Sequence, residues 1–149
     1  MKPRSERLQV VLALEQRKEQ QALDRMNDVR GQWQAEQDRL AELHTYQQEY
    51  HQQMRQQQQG TVPVARLQGW QSFIARLDVL IRDQQTRVEQ AAQRVEQARQ
   101  QWLQAWERRQ GMERYIDTCR AQEQHVRDQA EQKQADEAAA RQFSRRRQN

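Results

Sequence analysis

The sequence predicts an all-α fold: a long antiparallel two-helix coiled-coil hairpin with a frayed basic C-terminal tail. Three observations carry the prediction. Apolar residues recur every 3.5 positions along most of the chain. Ala, Gln, Glu, Arg and Leu, all good helix formers, dominate a sequence with only four glycines and two prolines among 149 residues. And a single Gly–Pro break, "QQQQGTVPV", interrupts the pattern between Gln56 and Val64.

The first helix is expected over about residues 5–58. Steps of four and three from Leu8 reach Leu12, Glu15, Glu19, Ala22, Met26, Val29, Trp33, Glu36, Leu40, Leu43, Gln47, Tyr50 and Met54, ten of these fourteen being apolar. A 3.5-residue repeat held this long specifies a left-handed coiled-coil seam rather than the broader face of a globular helix. Gly60 is a natural helix stop, and Pro63 suits the first turn of the next helix, with Thr61 or Val62 near its cap. The loop is placed at about 59–63. So short a connection makes the helices antiparallel.

The second helix is expected over about 64–135. From Leu67 the ladder runs through Trp70, Ile74, Leu77, Ile81, Gln84, Val88, Ala91, Val95, Ala98, Trp102, Ala105, Arg109, Met112, Ile116, Cys119, Glu123, Val126 and Ala130, sixteen of nineteen apolar. Folding at the loop pairs positions whose numbers sum to roughly 123 at 1.5 Å rise per residue, over an arm of about 80 Å. Leu8 then meets the Met112–Ile116 region, and Arg109 is placed near Glu15. Residues beyond about 120 have no partner, so 136–149 form a tail that frays. The whole chain, 1–149, makes one hairpin.

Composition excludes several classes. Apolar residues make up 35% of the chain and aromatics 6%, too few for a thick globular core. No apolar run approaches the ~20 residues that span a bilayer. The opening "MKPRSERLQ" has no signal-like apolar segment, and Cys119 stands alone, so a cytoplasmic protein is expected. The net charge of +4 is small beside 25 basic and 21 acidic residues, which gives no indication of a nucleic-acid partner. No phosphate-binding Gly-rich loop, HExxH, CxxC or nucleophile elbow occurs. His44 and His51 are one heptad apart on a polar edge, a poor metal site. No enzyme, metal or cofactor is expected. Glu15, Glu19 and Glu36 fall in the seam, where such residues weaken or register a coiled coil, or mark a splayed arm or a contact with another subunit.

One region departs from the monotony. With Leu40 and Leu67 at heptad position a, Leu43, Tyr50, Trp70 and Leu77 fall at d, while Tyr46, Phe73 and Leu80 fall at g. In an antiparallel pair the g edges share one side, so the three g residues form an apolar stripe near the loop that a two-helix seam does not need. Exposed aromatic patches of this kind are typical of protein-binding surfaces. The plainer alternative is that Tyr46 and Phe73 lie over the seam and anchor the loop.

The same residues carry a family resemblance. "LxxYQxEY" from Leu43, the Gln-rich stretch to Gly60, and "LxxWQxFIxxLxxxI" from Leu67 resemble the FliJ family of flagellar type III export proteins. So do Trp102 and the late "KxxDExAxR" formed by Lys133, Asp136, Glu137, Ala139 and Arg141. Trp70 stands where that family often has Tyr. The resemblance implies a non-enzymatic, stalk-like antiparallel coiled coil, cytoplasmic and peripheral at the inner-membrane export apparatus. It implies partners as well: the hexameric export ATPase FliI, the export gate protein FlhA, and export chaperones. The gate-binding surface carries over to Leu43, Tyr46, Tyr50, Phe73 and Leu77, with Leu80 a weaker match. The ATPase would face the end where the termini meet. Isolated, the hairpin is expected to be monomeric and to reach a membrane only through partners. Two alternatives remain, an injectisome-type secretion stalk and a generic dimerising coiled coil.

Overall fold

The computed structural model describes residues 2–148. Among them the fold is helical without strands: α1 spans Arg4–Arg7, α2 Gln9–Gln57 and α3 Val64–Gln148, with the two long helices packed against each other. Leu8 separates α1 from α2 with near-helical dihedrals, and its N–H still reaches the Arg4 carbonyl at 3.0 Å.

The break forms where Gly60 adopts a φ of +145°, a conformation available to glycine and strained for residues with a Cβ. The Pro63 carbonyl accepts from the N–H groups of Arg66 and Leu67 at 3.1 and 3.3 Å. Pro63 therefore stands just ahead of α3 rather than within its first turn, and it occupies the position expected for Thr61 or Val62. A residue whose carbonyl receives the first helical bonds is the cap of a helix start.

The chain divides into two compact units. One comprises residues up to Gln20 together with those from Gln104 onward, and the other Gln21–Leu103. Within Gln21–Leu103, Met26, Val29 and Ala98 form a buried cluster against which Leu23, Val95 and Trp102 pack. Ala91 and Ala98 are also fully buried. Small residues on α3 let large ones from α2 fill the seam, the alternation that a close-packed interface needs.

The burial pattern follows the 3.5-residue ladder closely. Every ladder position from Leu8 through α2 to Met54, and every one of α3 from Leu67 to Glu123, is at least partly buried. It stops at Val126, which is 64% exposed. From Gln124 to Gln148 all residues are exposed, yet α3 continues as helix past the boundary expected near 135. No Gly or Pro follows Gly111, and Gln132 donates to Asp136 one turn on at 3.1 Å. Local propensity is thus enough to write the helix there, without any burial to hold it.

In the unit containing the chain's two ends, the register differs from expectation by one turn. Leu12, rather than Leu8, lies beside Ile116 in a small surface depression. Arg109 engages Glu19, not Glu15, and also donates to Glu113 at 2.9 Å. Glu15 instead faces Lys18 at 3.8 Å on its own helix. Leu12 with Ile116, Ser5 with Glu123 and Glu19 with Arg109 all share this offset, so it is a shift of the facing segments as a whole in this unit and not the reach of one long side chain.

Candidate functional site

The candidate surface lies within Gln21–Leu103, beside the break. Its residues come from the last third of α2 and from the third to fifth turns of α3. Heptad position decides how each is presented. Leu77, at d, points into the seam and is only 3% exposed, while Leu80, three residues on at g, is 54% exposed. Tyr46, at g on α2, is 50% exposed. Leu43, Tyr50 and Phe73 are half-buried.

Phe73 is the hub. Tyr50 packs against it with ring centroids 4.2 Å apart and planes at 42°. Tyr46 approaches edge-on, at 6.0 Å and 72°. Offset and edge-to-face arrangements place the positive ring edge of one aromatic over the negative face of another, worth about 0.5–1.5 kcal/mol per pair beyond area burial. Nearby, Gln47 donates to Asp78 at 2.9 Å across the two helices. These contacts hold the two segments together near the loop and also fix the rings in place.

Leu43, Tyr46, Phe73, Arg76, Leu77 and Leu80 line a shallow depression of about 220 Å³. Tyr50 completes the group through Phe73. All six residues singled out from the sequence are thus brought together: Leu77 and Tyr50 support the floor, and Tyr46 and Leu80 form exposed walls. Arg76 was not foreseen. It sits one turn after Phe73 on the same rim, and its hydrogen-bond partner is Ser72 Oγ at 3.4 Å. The outward-facing Val79, 51% exposed beside Leu80, was also missed. Neither belongs to a seam or g position, so the heptad signal did not extend to them. The depression can accept an apolar side chain, with a phenol and a guanidinium on its rim for polar contacts.

Several other polar groups are hydrogen-bonded across the helix interface. Gln84, a seam residue only 4% exposed, donates both to the Glu36 carbonyl at 2.9 Å and to its carboxylate. That contact satisfies a buried amide which would otherwise be costly. In the other unit, Glu123 accepts from the Ser5 hydroxyl at 2.6 Å and from its N–H at 3.0 Å. Those two bonds, the hydroxyl's first, hold the Glu123 carboxyl below the usual carboxylate range. Hydrogen bonding to Glu19, and then to Glu113, raises the Arg109 guanidinium further above its ordinary value. Ser5 and its bond were missed, although extending the ladder back from Leu12 by one heptad lands on Ser5. Among the described residues no cluster of three His, Cys, Asp or Glu side chains could hold a metal, and no helix is long and apolar enough to cross a membrane.

Comparison with known proteins returns one family. The model described as FliJ, Flagellar FliJ protein, matches residues 4–148. No curated protein and no solved structure matches the chain.

Proposed function

The chain belongs to the FliJ family of flagellar type III export components, and from that premise we propose that it is a non-enzymatic stalk linking the hexameric export ATPase FliI to the export gate protein FlhA. In this reading it works in the cytoplasm, peripheral to the inner membrane, and handles export chaperones on the way. Its architecture is an antiparallel two-helix coiled-coil hairpin. In each unit the α3 partner falls in number as the residue of α1 or α2 rises, which supports that arrangement. Glu123 and Arg109 meet Ser5 and Glu19, and Gln84 and Phe73 meet Glu36 and Tyr50.

The gate contact is assigned to Leu43, Tyr46, Tyr50, Phe73, Leu77 and Leu80, and the ATPase contact to the open end of the hairpin, the end opposite the loop. The observation that carries the first assignment is the half-exposure of Tyr46 and Leu80 on either side of an apolar depression. A seam closed by its own a and d residues gains little from leaving two large apolar side chains in water. A partner that covers them gains their burial, about 25 cal/mol per Å² of apolar area. Such a rod makes and breaks no covalent bond. It positions one partner at each end.

Titrating the purified chain against the soluble part of the gate protein tests the assignment. Tyr46→Ala and Leu80→Ala should each weaken binding roughly thirty-fold, the loss usual for an interface anchor. Leu14→Ala, an exposed residue near the other end of α2, serves as the control. Wild-type affinity in both tip variants would remove the gate contact from this surface.

A further inference from the structure

We infer that the tip surface is a groove for a short amphipathic helix of the partner, apolar along one face and acidic beyond its apolar residues. The inference rests on the gate-binding reading of the tip and adds the chemistry of what binds there.

The depression under Tyr46 does not end at Leu80. A second one, of about 230 Å³, shares Leu43 and Leu80 with it and continues between Arg39 and Arg87. Together they make one trough along the g edges of α2 and α3. A helix in a two-stranded seam needs apolar residues only at a and d. An apolar a, d and g pattern, three positions in seven, belongs to a helix packed against more than one neighbour. Here only two helices supply the pattern, so the groove is the face on which a third helix would complete the packing.

The extent of that pattern sets the length of the occupant. Phe73 and Leu80 are seven residues apart, two turns or about 10 Å. The flanking g positions are polar and mostly basic: Arg66 before Phe73, Arg87 after Leu80, Arg39 before Tyr46, and Gln53 after it. Beyond them lie Arg94 on α3 and, past Gln32, Arg25 on α2. A third helix can therefore bury only about two turns before it meets guanidinium groups.

Charge decides the rest. Arg39, Arg76 and Arg87 line the trough and are exposed, against the single acid Asp83 among its lining residues. Among the described residues none of the three arginines forms an ion pair. Guanidinium groups present paired donors that match a carboxylate. A partner segment with Asp or Glu one turn past its apolar residues completes them, and a basic segment is repelled.

The test uses the full chain and the soluble part of the gate protein, in 50 and 200 mM salt. Arg39→Glu with Arg87→Glu should weaken binding about tenfold or more, chiefly at low salt, with unfolding unchanged, and Tyr46→Ala should weaken it at both. Hydrogen exchange on the gate protein should then show one newly protected segment, helical, amphipathic and acidic. If Tyr46→Ala weakens binding but the charge reversal does not, the tip reading stands and the acidic helix is wrong. A basic or uncharged protected segment overturns it as well. If neither variant changes binding, the tip reading falls and takes the inference with it. Concentration-dependent dimerisation of the chain alone, abolished by Tyr46→Ala, would give the groove to a second copy and overturn the acidic partner.

Discussion

Leu77 and Leu80 offer a controlled experiment within one helix. The side chains are identical, three residues apart, and differ in burial, 3% against 54% exposed. Truncating Leu77 to Ala removes a seam side chain and leaves a cavity between α2 and α3. In thick cores the loss is about 2.7–5 kcal/mol. A two-helix seam has solvent close by on both sides and can collapse further, so the lower end applies, about 2–3 kcal/mol. Truncating Leu80 forfeits only the covered half of a transfer energy of about 1.5–3 kcal/mol, near 1 kcal/mol. Alanine's slightly better helix propensity returns a small part of that. At about 2–4 °C per kcal/mol for a chain of this length, Leu77→Ala should lower the melting temperature by about 4–12 °C and Leu80→Ala by no more than about 4 °C. Circular dichroism at 222 nm, followed through heating, reads both. Gate affinity measured on the same samples should fall in both variants, so the two are separated by melting and not by binding. Equal melting losses would refute the burial argument and make Leu80 a structural anchor. A stable Leu80→Ala protein with full affinity would refute the functional one.

Three further outcomes follow from particular contacts. The Glu123 carboxyl titrates below its ordinary value because Ser5 donates to it, so the bond stabilises above the unfolded carboxylate pKa and is lost as pH falls through the lower folded one. Thermal unfolding of wild type and Glu123→Gln should therefore differ near pH 7 and converge toward pH 3, and a gap independent of pH would contradict the assignment. Gly60→Ala must hold a side chain at a φ of +145° with nothing within 4 Å to clash. It should cost about 1–3 kcal/mol of stability from backbone strain alone, read by denaturant titration, and no loss would show that the loop relaxes freely. Residues 124–148, helical but wholly exposed, should exchange amide hydrogens far faster than the buried stretch around Ile116 and become protected when the ATPase binds. Slow exchange in the isolated chain would mean that something covers them.

Much of this molecule is legible in its sequence because coiled-coil burial is a local property. Each step of three or four residues returns a side chain to the same helical face whatever lies opposite, so the ladder from Leu8 to Met54 and from Leu67 to Glu123 could be read without knowing the partner. The same holds for the tip. Tyr46, Phe73 and Leu80 fall off the seam by heptad arithmetic alone, and the structure brings them together. Pairing across the helices is another matter, because it depends on register between residues far apart in the chain. Glu15 and Glu19 are equivalent seam carboxylates in the sequence, and only the register of the facing segments, the same that sets Ser5 against Glu123, gives Arg109 to Glu19. Gln84 reads as a weak point in the ladder but proves among the most buried residues, because Glu36 lies within its reach. Ser5 meets Glu123 across 118 positions. Periodicity thus determined which residues turn inward, and tertiary structure decided which polar groups would find one another there, since a hydrogen bond is settled over a few tenths of an ångström that no repeat encodes.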